Sequence, residues 1–340
     1  MIKIIQNRKI SFVISSVLFV ASVILLIAIG LKPGIDFTGG SLLEVSFSDT
    51  RPTIDEVQNV LAPLDLGNLS VQPVDEDGMI LKMRFISEEE HQAILDNLRN
   101  ELYASSTEVT DTIDTAEDTQ PQEVSAVVDD NSGTVTIEVN KIDIEARMTE
   151  KRIETIGSSI SSQLRSRAWQ IGLLVVFAII IYVAYAFRKV SKPVKSWKFG
   201  LAAIIALVHD VTITMGIFVL LGHFYGVEVN ISFVVALLTI LGYSVNDTIV
   251  VFDRIRENLI KHGYNNFEEL VNNGVNETLT RSLNTSMTTI LVLATLFFYG
   301  GDSVKYFALS LIVGIFIGTY SSIFLASPIL VAWERWKYRD

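Results

Sequence analysis

The run SFVISSVLFVASVILLIAIGL, residues 11–31, decides the fold class because it contains no Asp, Glu, Lys or Arg. A helix of about 20 apolar residues crosses the hydrocarbon core of a bilayer, which is ~30 Å thick. Five further windows of similar length carry at most one charged residue each. They lie at residues 168–187, 199–221, 229–251, 282–299 and 305–327. The sequence therefore predicts a membrane protein, an all-α bundle of six transmembrane helices.

The composition excludes several classes of protein. Mean hydropathy is +0.41 and 49% of residues are hydrophobic, too apolar for a soluble enzyme or a disordered chain. The chain has no cysteine, so it has no disulfides and no Cys-ligated metal. It lacks the P-loop, HExxH and GxSxG motifs, and its four histidines are scattered. We therefore expect no enzyme activity, cofactor, bound metal or nucleic-acid partner.

Charge is distributed unevenly along the chain. Residues 32–167 contain 11 Lys and Arg against 27 Asp and Glu, whereas the remainder contains 16 against 11. Lys and Arg cluster near both termini and in the segments 188–198 and 254–261. Because basic segments stay in the cytoplasm, six alternating helices place both termini inside and residues 32–167 outside.

This topology divides the chain into four parts. The first apolar run is long for a signal peptide and no small-x-small cleavage site follows it, so we interpret it as a retained helix. The expected parts are the cytoplasmic N-terminus and first helix at 1–31, the extracytoplasmic domain at 32–167, five further helices within 168–332, and a cytoplasmic tail at 333–340.

The outside domain, inserted between the first and second transmembrane helices, has the pattern of a ferredoxin-like α+β fold. Alternation predicts strands at 41–47, 69–74, 79–85 and 134–140, and capping boxes at Thr53–Glu56 and Ser87–Glu90 predict helix starts between them. The resulting β-α-β-β-α-β order is that of the split βαβ fold.

Two segments of this domain are less regular. Residues 104–133 form an acidic insertion poor in large apolar residues, with a short strand expected at Val124–Val128. The insertion is either a solvated loop or a contact surface for a client chain, and composition favours the loop. Residues 143–166 are interpreted as a helix leading into the second span.

Ionisable residues lie inside the apolar windows, where a charge needs a partner or a function. Asp210, beside His209, is near the middle of the third span, Asp247 lies in the fourth, and Arg281 opens the fifth. A carboxylate and a guanidinium on adjacent helices form a switchable pair for proton transfer, or else they only pin two helices together. For Asp210 and His209, function and simple bonding to Ser or Thr of a neighbouring helix remain open.

Smaller polar residues accompany these groups. Asn284, Thr285 and Thr288 share one helical face with Arg281, and they serve as interhelical contacts or as a relay. Ser244 and Asn246 lie beside Asp247. In the sixth span small residues recur at every fourth position, which predicts a helix-packing face. They are Ser310, Gly314, Gly318, Ser322 and Ala326.

Three stretches resemble the SecF branch of the SecD/SecF family, in the resistance-nodulation-division superfamily. They are Gly34–Gly40 (GIDFTGG), Gly242–Asn258 (GYSVNDTIVVFDRIREN) and Arg281–Thr289 (RSLNTSMTT). The first stretch contains the family signature residues Gly34, Asp36, Gly39 and Gly40. Its glycines either let the chain turn sharply or bind a ligand, and we favour the turn.

The resemblance implies a function in bacterial protein export. It implies a subunit of the inner (cytoplasmic) membrane that, with SecD, uses the proton motive force to promote translocation of polypeptides. On this view Asp247 and Arg281 form the proton relay, and Na⁺ in place of H⁺ stays open. The implied partners are SecD, the SecYEG channel, YajC, the translocating preprotein and membrane lipid.

Two other functions compete with this one. A small-molecule or lipid exporter of the same superfamily usually carries two much larger outside loops, which this chain lacks. The other is a passive membrane scaffold that only anchors a complex, which export measured with and without a proton gradient would distinguish.

Overall fold

The structure is a computed structural model that describes residues 2–48, 50–104, 127–128, 135–136, 147–186, 196–263 and 266–337. The chain divides into two compact units. One comprises Met1–Phe37 and Gln163–Asp340, and the other comprises Thr38–Ser162.

Six helical segments are long and apolar enough to cross a membrane, as the sequence predicts. They are α1 (Arg8–Ala28), α5 (Ser158–Ala186), α6 (Ser196–Tyr225), α7 (Ile231–His262), α8 (Phe267–Tyr299), and α9 (Asp302–Ser321) continued by a π-helical segment (Ser322–Ala326) and α10 (Ser327–Lys337). A four-residue helix, α2 (Ile35–Thr38), follows α1.

Helices α7 and α8 extend well beyond the predicted spans at their facing ends. Hydropathy windows stop where charges begin, but Phe252, Ile255 and Leu259 keep one face of α7 buried after the window ends. Asp247 and Arg281 therefore lie in the middle of long helices and not near their ends.

The small-residue face of α9 packs within the chain. A Cβ added to Gly318 would lie 2.9 Å from Cβ of Ser244 on α7, and one added to Gly314 would overlap the side chain of Ile240. The predicted packing face is confirmed, and its partner is α7. This close approach brings the start of the π-helical segment against the polar middle of α7.

The second unit contains a four-stranded antiparallel sheet in the order β2-β3-β1-β6. Its elements are β1 (Gly40–Phe47), α3 (Ile54–Leu61), β2 (Ser70–Val74), β3 (Gly78–Met83), α4 (Glu88–Ala104) and β6 (Met148–Ile156). A separate pair joins β4 (Val127–Val128) to β5 (Val135–Thr136). Side chains from β1, β3, α3 and α4 share one core, including Leu43, Phe47, Leu81, Leu61 and Leu98.

The prediction that residues 134–140 form the last strand of the sheet is wrong. Within this segment the structure describes only β5, which pairs with β4. The expected strand at Val124–Val128 is described only at Val127–Val128, and most of the insertion 104–133 lies outside the described residues.

The predicted helix over 143–166 is also wrong across Met148–Ile156, which is the strand beside β1. Charges made this segment resemble an exposed helix, but charged residues also suit an edge strand. Arg152 reaches Glu44 of β1 at 3.4 Å and Glu154 at 3.2 Å. Cross-strand pairing with β1 therefore overrides the local preference.

Both predicted capping boxes are present in the second unit. Thr53 and Glu56 exchange the two bonds that start α3, and Ser87 and Glu90 do so before α4. Glu90 also receives bonds from the Arg84 guanidinium at 2.5 and 3.2 Å. Bonding to Arg84, and then to the Ser87 backbone, lowers the pKa of Glu90 to about 2.

Candidate functional site

Two carboxylates lie midway along neighbouring helices, Asp210 on α6 and Asp247 on α7. The side chain of Asp210 is 0% exposed, and Asp247 is half-buried. Each is held by serine hydroxyls from other helices. An intramembrane carboxylate is expensive unless it is hydrogen-bonded and neutralised, so these bonds define the candidate site.

Asp210 is bound from both neighbouring helices. Its Oδ2 accepts hydrogen bonds from Ser244 Oγ of α7 at 2.5 Å and from Ser321 Oγ of α9 at 2.7 Å. On its own helix, Nδ1 of His209 lies 2.9 Å from Oδ1. The His209 ring stacks on Phe19 of α1 at 6.4 Å, which fixes its plane.

Asp247 is held in a parallel manner one turn along α7. Its Oδ1 accepts a bond from Ser282 Oγ of α8 at 2.6 Å, and its Oδ2 accepts one from Ser322 Oγ. Ser322 is the first residue of the π-helical segment. Both oxygens of Asp247 are thus satisfied by hydroxyls from two other helical segments.

The helices position these groups through ordinary spacing. Ser244 and Asp247 are three residues apart on α7 and therefore share a face. Gly318, lacking a side chain, lets α9 approach that face closely, and Ser321 follows it by three residues. The consecutive residues Ser321 and Ser322 then reach Asp210 and Asp247, respectively.

Arg281 lies on α8 directly before Ser282, and its side chain is exposed. Among the described residues no ion pair joins Arg281 to Asp247, and the neighbouring Ser282 binds the carboxylate. The switchable pair therefore stays a prediction for another conformation or for an assembly with a partner.

The polar stripe beside Arg281 is exposed as well. Thr285 donates to the carbonyl of Arg281 at 2.9 Å, and Thr288 donates to that of Asn284 at 3.0 Å. These hydroxyls donate within their own helix, and no hydrogen bond joins them to another helix among the described residues. On α7, Asn246 is exposed too.

The opposite face of α8 carries polar residues that the sequence reasoning missed. Ser286 Oγ lies 2.5 Å from Thr319 Oγ1 of α9, and the hydroxyl of Tyr243 donates to Ser286 at 3.3 Å. Ser282 and Ser286 are four residues apart on the buried side of α8. That spacing was the one signal available from the sequence.

The signature residues fall into two groups. Gly34 N–H donates to the Val229 carbonyl at 2.8 Å, and Asp36 Oδ2 accepts from the Ile231 N–H at 2.7 Å, at the first residue of α7. In the second unit, Gly39 and Gly40 have φ values of +76° and +126°. A Cβ on Gly40 would also lie 2.5 Å from the Met83 carbonyl oxygen, so a glycine is required for this turn.

A metal ion is normally held by several donor side chains that lie close together, and such clusters can be sought in the described part of the chain. There, no three His, Cys, Asp or Glu side chains converge on a point that suits a metal ion. The ligands available at the site are carboxylate and hydroxyl oxygens, which suit a proton or an alkali cation better than a transition metal.

Comparison with known proteins decides the family. Residues 136–336 match the model for the C-terminal part of protein export membrane protein SecD/SecF, and residues 24–50 match the SecD/SecF GG motif. The chain belongs to the SecD/SecF family. The SecD/SecF matches include Asp36, Asp247 and Arg281, and the serine pair at 321–322.

The curated relatives in this family are SecF subunits. Protein translocase subunit SecF of Thermobaculum terrenum is 35% identical over 98% of this chain and 95% of its own length. The SecF of Synechocystis sp. is 35% identical over 90% of this chain and 84% of its own length. The resemblance to the SecF branch is confirmed, and the six apolar helices make this a multi-pass membrane protein.

Solved structures of SecDF share the fold. The chain matches SecDF of Thermus thermophilus with a TM-score of 0.73 and 30% identity over 97% of its length. A second structure, of SecDF in a super-membrane-facing form, matches with a TM-score of 0.61 and 29% identity over 99% of this chain. The chain spans only 38% and 39% of those longer SecDF chains.

Proposed function

We propose that this SecD/SecF family member is an accessory subunit of Sec protein translocation that uses the proton motive force together with SecD. The observation that carries this proposal is the Asp247 carboxylate, held by Ser282 and Ser322 in the middle of a membrane-length helix. The chain is similar over its full length to SecF translocase subunits, which supports protein translocation as the process in which this acid acts.

The chemistry of the site suits reversible protonation. A carboxylate with two hydroxyl donors is stabilised when ionised, and a protonated carboxyl group can donate to the same hydroxyl oxygens. Movement of α8 or the π-helical segment removes one donor and favours the neutral form. One charge crossing 100 mV supplies about 2.3 kcal/mol, enough to shift such an equilibrium strongly.

The proposed proton relay also includes Arg281. Its guanidinium is exposed on a helix within the membrane, where a cation requires an anionic or wet neighbour. We infer that this neighbour is a carboxylate on SecD, with Asn284, Thr285, Thr288 and Asn246 lining the shared seam. The chain's span of less than two fifths of SecDF is consistent with a partner completing the site.

The second unit is proposed to be a ferredoxin-like, extracytoplasmic domain. Its β1-α3-β2-β3-α4-β6 order and its β2-β3-β1-β6 sheet support that fold. Its acidic composition and the basic segments elsewhere support an outside location, with both termini in the cytoplasm of a bacterial inner-membrane protein. There it would contact the preprotein emerging from SecYEG, with YajC as a further partner.

The proposal includes no enzymatic reaction and no cofactor beyond the ion gradient. Proton coupling is favoured because one hydroxyl donates to each oxygen of Asp247, and a protonated carboxyl group can donate back to the same hydroxyl oxygens. Sodium is the alternative ion, since carboxylate and hydroxyl oxygens also bind alkali cations.

The test is translocation of a preprotein into proteoliposomes that contain SecYEG, SecD and this chain. We expect a proton gradient to increase the amount translocated, and a sodium gradient of equal size to have no effect. Equal translocation with and without any gradient would contradict energy coupling and support a passive scaffold.

A further inference from the structure

A buried carboxylate, Asp210, and a half-buried one, Asp247, lie on different helices and are bound by consecutive serines of a third helical segment. Ser321 Oγ donates to Asp210, and Ser322 Oγ donates to Asp247. A third connection is made through α7, since Ser244 binds Asp210 from the same face that carries Asp247. Any displacement at the junction of α9 and the π-helical segment therefore changes the bonding of both acids.

Each of the two serines has a choice of acceptors. Ser321 Oγ lies 2.7 Å from Oδ2 of Asp210 and 3.1 Å from the Gly318 carbonyl oxygen. Ser322 Oγ has Oδ2 of Asp247 and, at 3.0 Å, the Thr319 carbonyl oxygen. A hydroxyl has one hydrogen, so it donates to the carboxylate or to the carbonyl, and the protonation state of the acid decides which.

The π-helical segment begins at this pair. Ser327 Oγ donates to the Ser322 carbonyl at 3.0 Å, five residues back, so a side-chain bond is made across the wider turn. Single π turns inside α-helices are frequent at functional sites. This one gives the backbone at Ser322 a bonding pattern that differs from the regular helix on either side.

Asp210 has no permanent counter-charge in the described part of the chain. His209 is its one titratable contact, and Nε2 of that ring is buried without a hydrogen-bond partner. The titratable residues that lie beside its serine contacts in the sequence are Tyr243 and Asp247 on α7 and Tyr320 on α9, and α1 carries no charged residue between Lys9 and Lys32. A fully buried carboxylate in this setting requires a proton, or a protonated His209, for neutrality.

We propose that Asp210 is a second proton-binding carboxylate, and that Ser321 and Ser322 are positioning residues that couple its proton occupancy to that of Asp247. The inference rests on the proposed function of Asp247. When a proton binds Oδ2 of either acid, the new carboxyl O–H donates to the serine oxygen. The serine hydrogen turns to the Gly318 or Thr319 carbonyl, so each carboxyl gains one proton and no covalent bond to serine is broken.

The test is a pH titration of the full chain in lipid nanodiscs by infrared difference spectroscopy, which resolves the carbonyl stretch of protonated carboxyl groups. The difference between wild type and Asp210→Asn should isolate one titrating band, and that between wild type and Asp247→Asn a second. Asp247→Asn should move the midpoint of the Asp210 band by roughly one pH unit, as expected for interacting sites.

Serine variants separate coupling from folding. Ser321→Ala should shift the midpoint of the Asp210 band, and Ser321→Thr, which keeps the hydroxyl, should restore it. Ser310→Ala is the matched control, because Ser310 is equally buried on α9 and its hydroxyl donates to the Tyr306 carbonyl at 2.6 Å, within its own helix. If Asp210→Asn does not fold, Asp210→Glu, which keeps a carboxyl group but changes its surroundings, identifies the Asp210 band for the Ser321 series.

Two outcomes would overturn the inference. One is a wild-type spectrum with no Asp210 band that changes with pH, or with a midpoint insensitive to both Asp247→Asn and Ser321→Ala. The other is a band that responds to Na⁺ but not to pH, which would make Asp210 a cation ligand. Neither readout involves translocation, so failure here is distinct from failure of the proposed function.

Discussion

Oδ2 of Asp36 accepts a hydrogen bond of 2.7 Å from the backbone N–H of Ile231, the first residue of α7. The same short segment is joined to the chain before α7 by two more bonds, Gly34 N–H to Val229 O and Val229 N–H to Lys32 O, each 2.8 Å. The signature segment therefore binds the start of the helix that carries Asp247.

Replacing Asp36 tests this role. Asp36→Ala leaves the Ile231 N–H without its acceptor, and loss of a helix-capping acceptor costs about 1 kcal/mol. We expect faster amide hydrogen exchange in the peptide containing residues 229–236, measured by mass spectrometry on the full chain in nanodiscs. Asp36→Asn keeps an acceptor oxygen and should exchange nearly as slowly as wild type. Equal exchange in wild type and Asp36→Ala would contradict the capping role.

The contact between α9 and α7 gives a second prediction. A Cβ at Gly314 would overlap Ile240, so Gly314→Ala should lower stability by about 1–3 kcal/mol, as overpacking does. Gly172→Ala on α5 is the matched control because no atom lies within 4 Å of its added Cβ. That variant should be neutral or slightly stabilising, since Ala is the better helix former. Thermal unfolding in detergent compares the two variants. Equal unfolding midpoints for Gly314→Ala and Gly172→Ala would contradict the close packing of α9 on α7.

Glu90 predicts how acid affects the second unit. Its pKa is about 2 in the folded chain against 4.5 as the ordinary value. A lowered folded-state pKa contributes stability above the unfolded value, and that contribution is lost as pH falls from about 4.5 toward 2. Glu90→Gln should therefore unfold at a lower temperature than wild type at pH 6, with the difference shrinking through this window. A difference in unfolding temperature that stays constant down to pH 2 would contradict the view that Arg84 and Ser87 lower the pKa of Glu90.

Much of this molecule could be predicted from its sequence because its strongest signals are local. Apolar runs specify the six helices, the capping boxes specify the starts of α3 and α4, and single charges stand out inside the runs at Asp210 and Asp247. Each of these features would raise the free energy in an unsuitable local environment, such as a charge in hydrocarbon, whatever the surrounding structure is. Each therefore indicates its own local structure.

The remainder depends on contacts between distant segments. Nothing local distinguishes Ser282, Ser321 and Ser322 from the many serines that bind their own helix backbone, and the π turn that orients Ser322 is set by packing. The charges of Met148–Ile156 are compatible with an exposed helix, but pairing with β1 makes this segment strand β6. The role of Asp36 likewise required the position of Ile231, 195 residues away.

We propose above that Asp247 couples the proton gradient to translocation. The most direct test of this coupling is the gradient-dependent increase in preprotein translocation by proteoliposomes containing SecYEG, SecD and either wild-type chain, Asp247→Asn or Asp253→Asn. Asp253 is the matched control on the same helix, where its exposed carboxylate pairs with Arg256 at 2.7 Å. We expect Asp247→Asn to abolish the increase and Asp253→Asn to retain it. An undiminished increase with Asp247→Asn would show that this carboxylate does not couple the gradient to translocation.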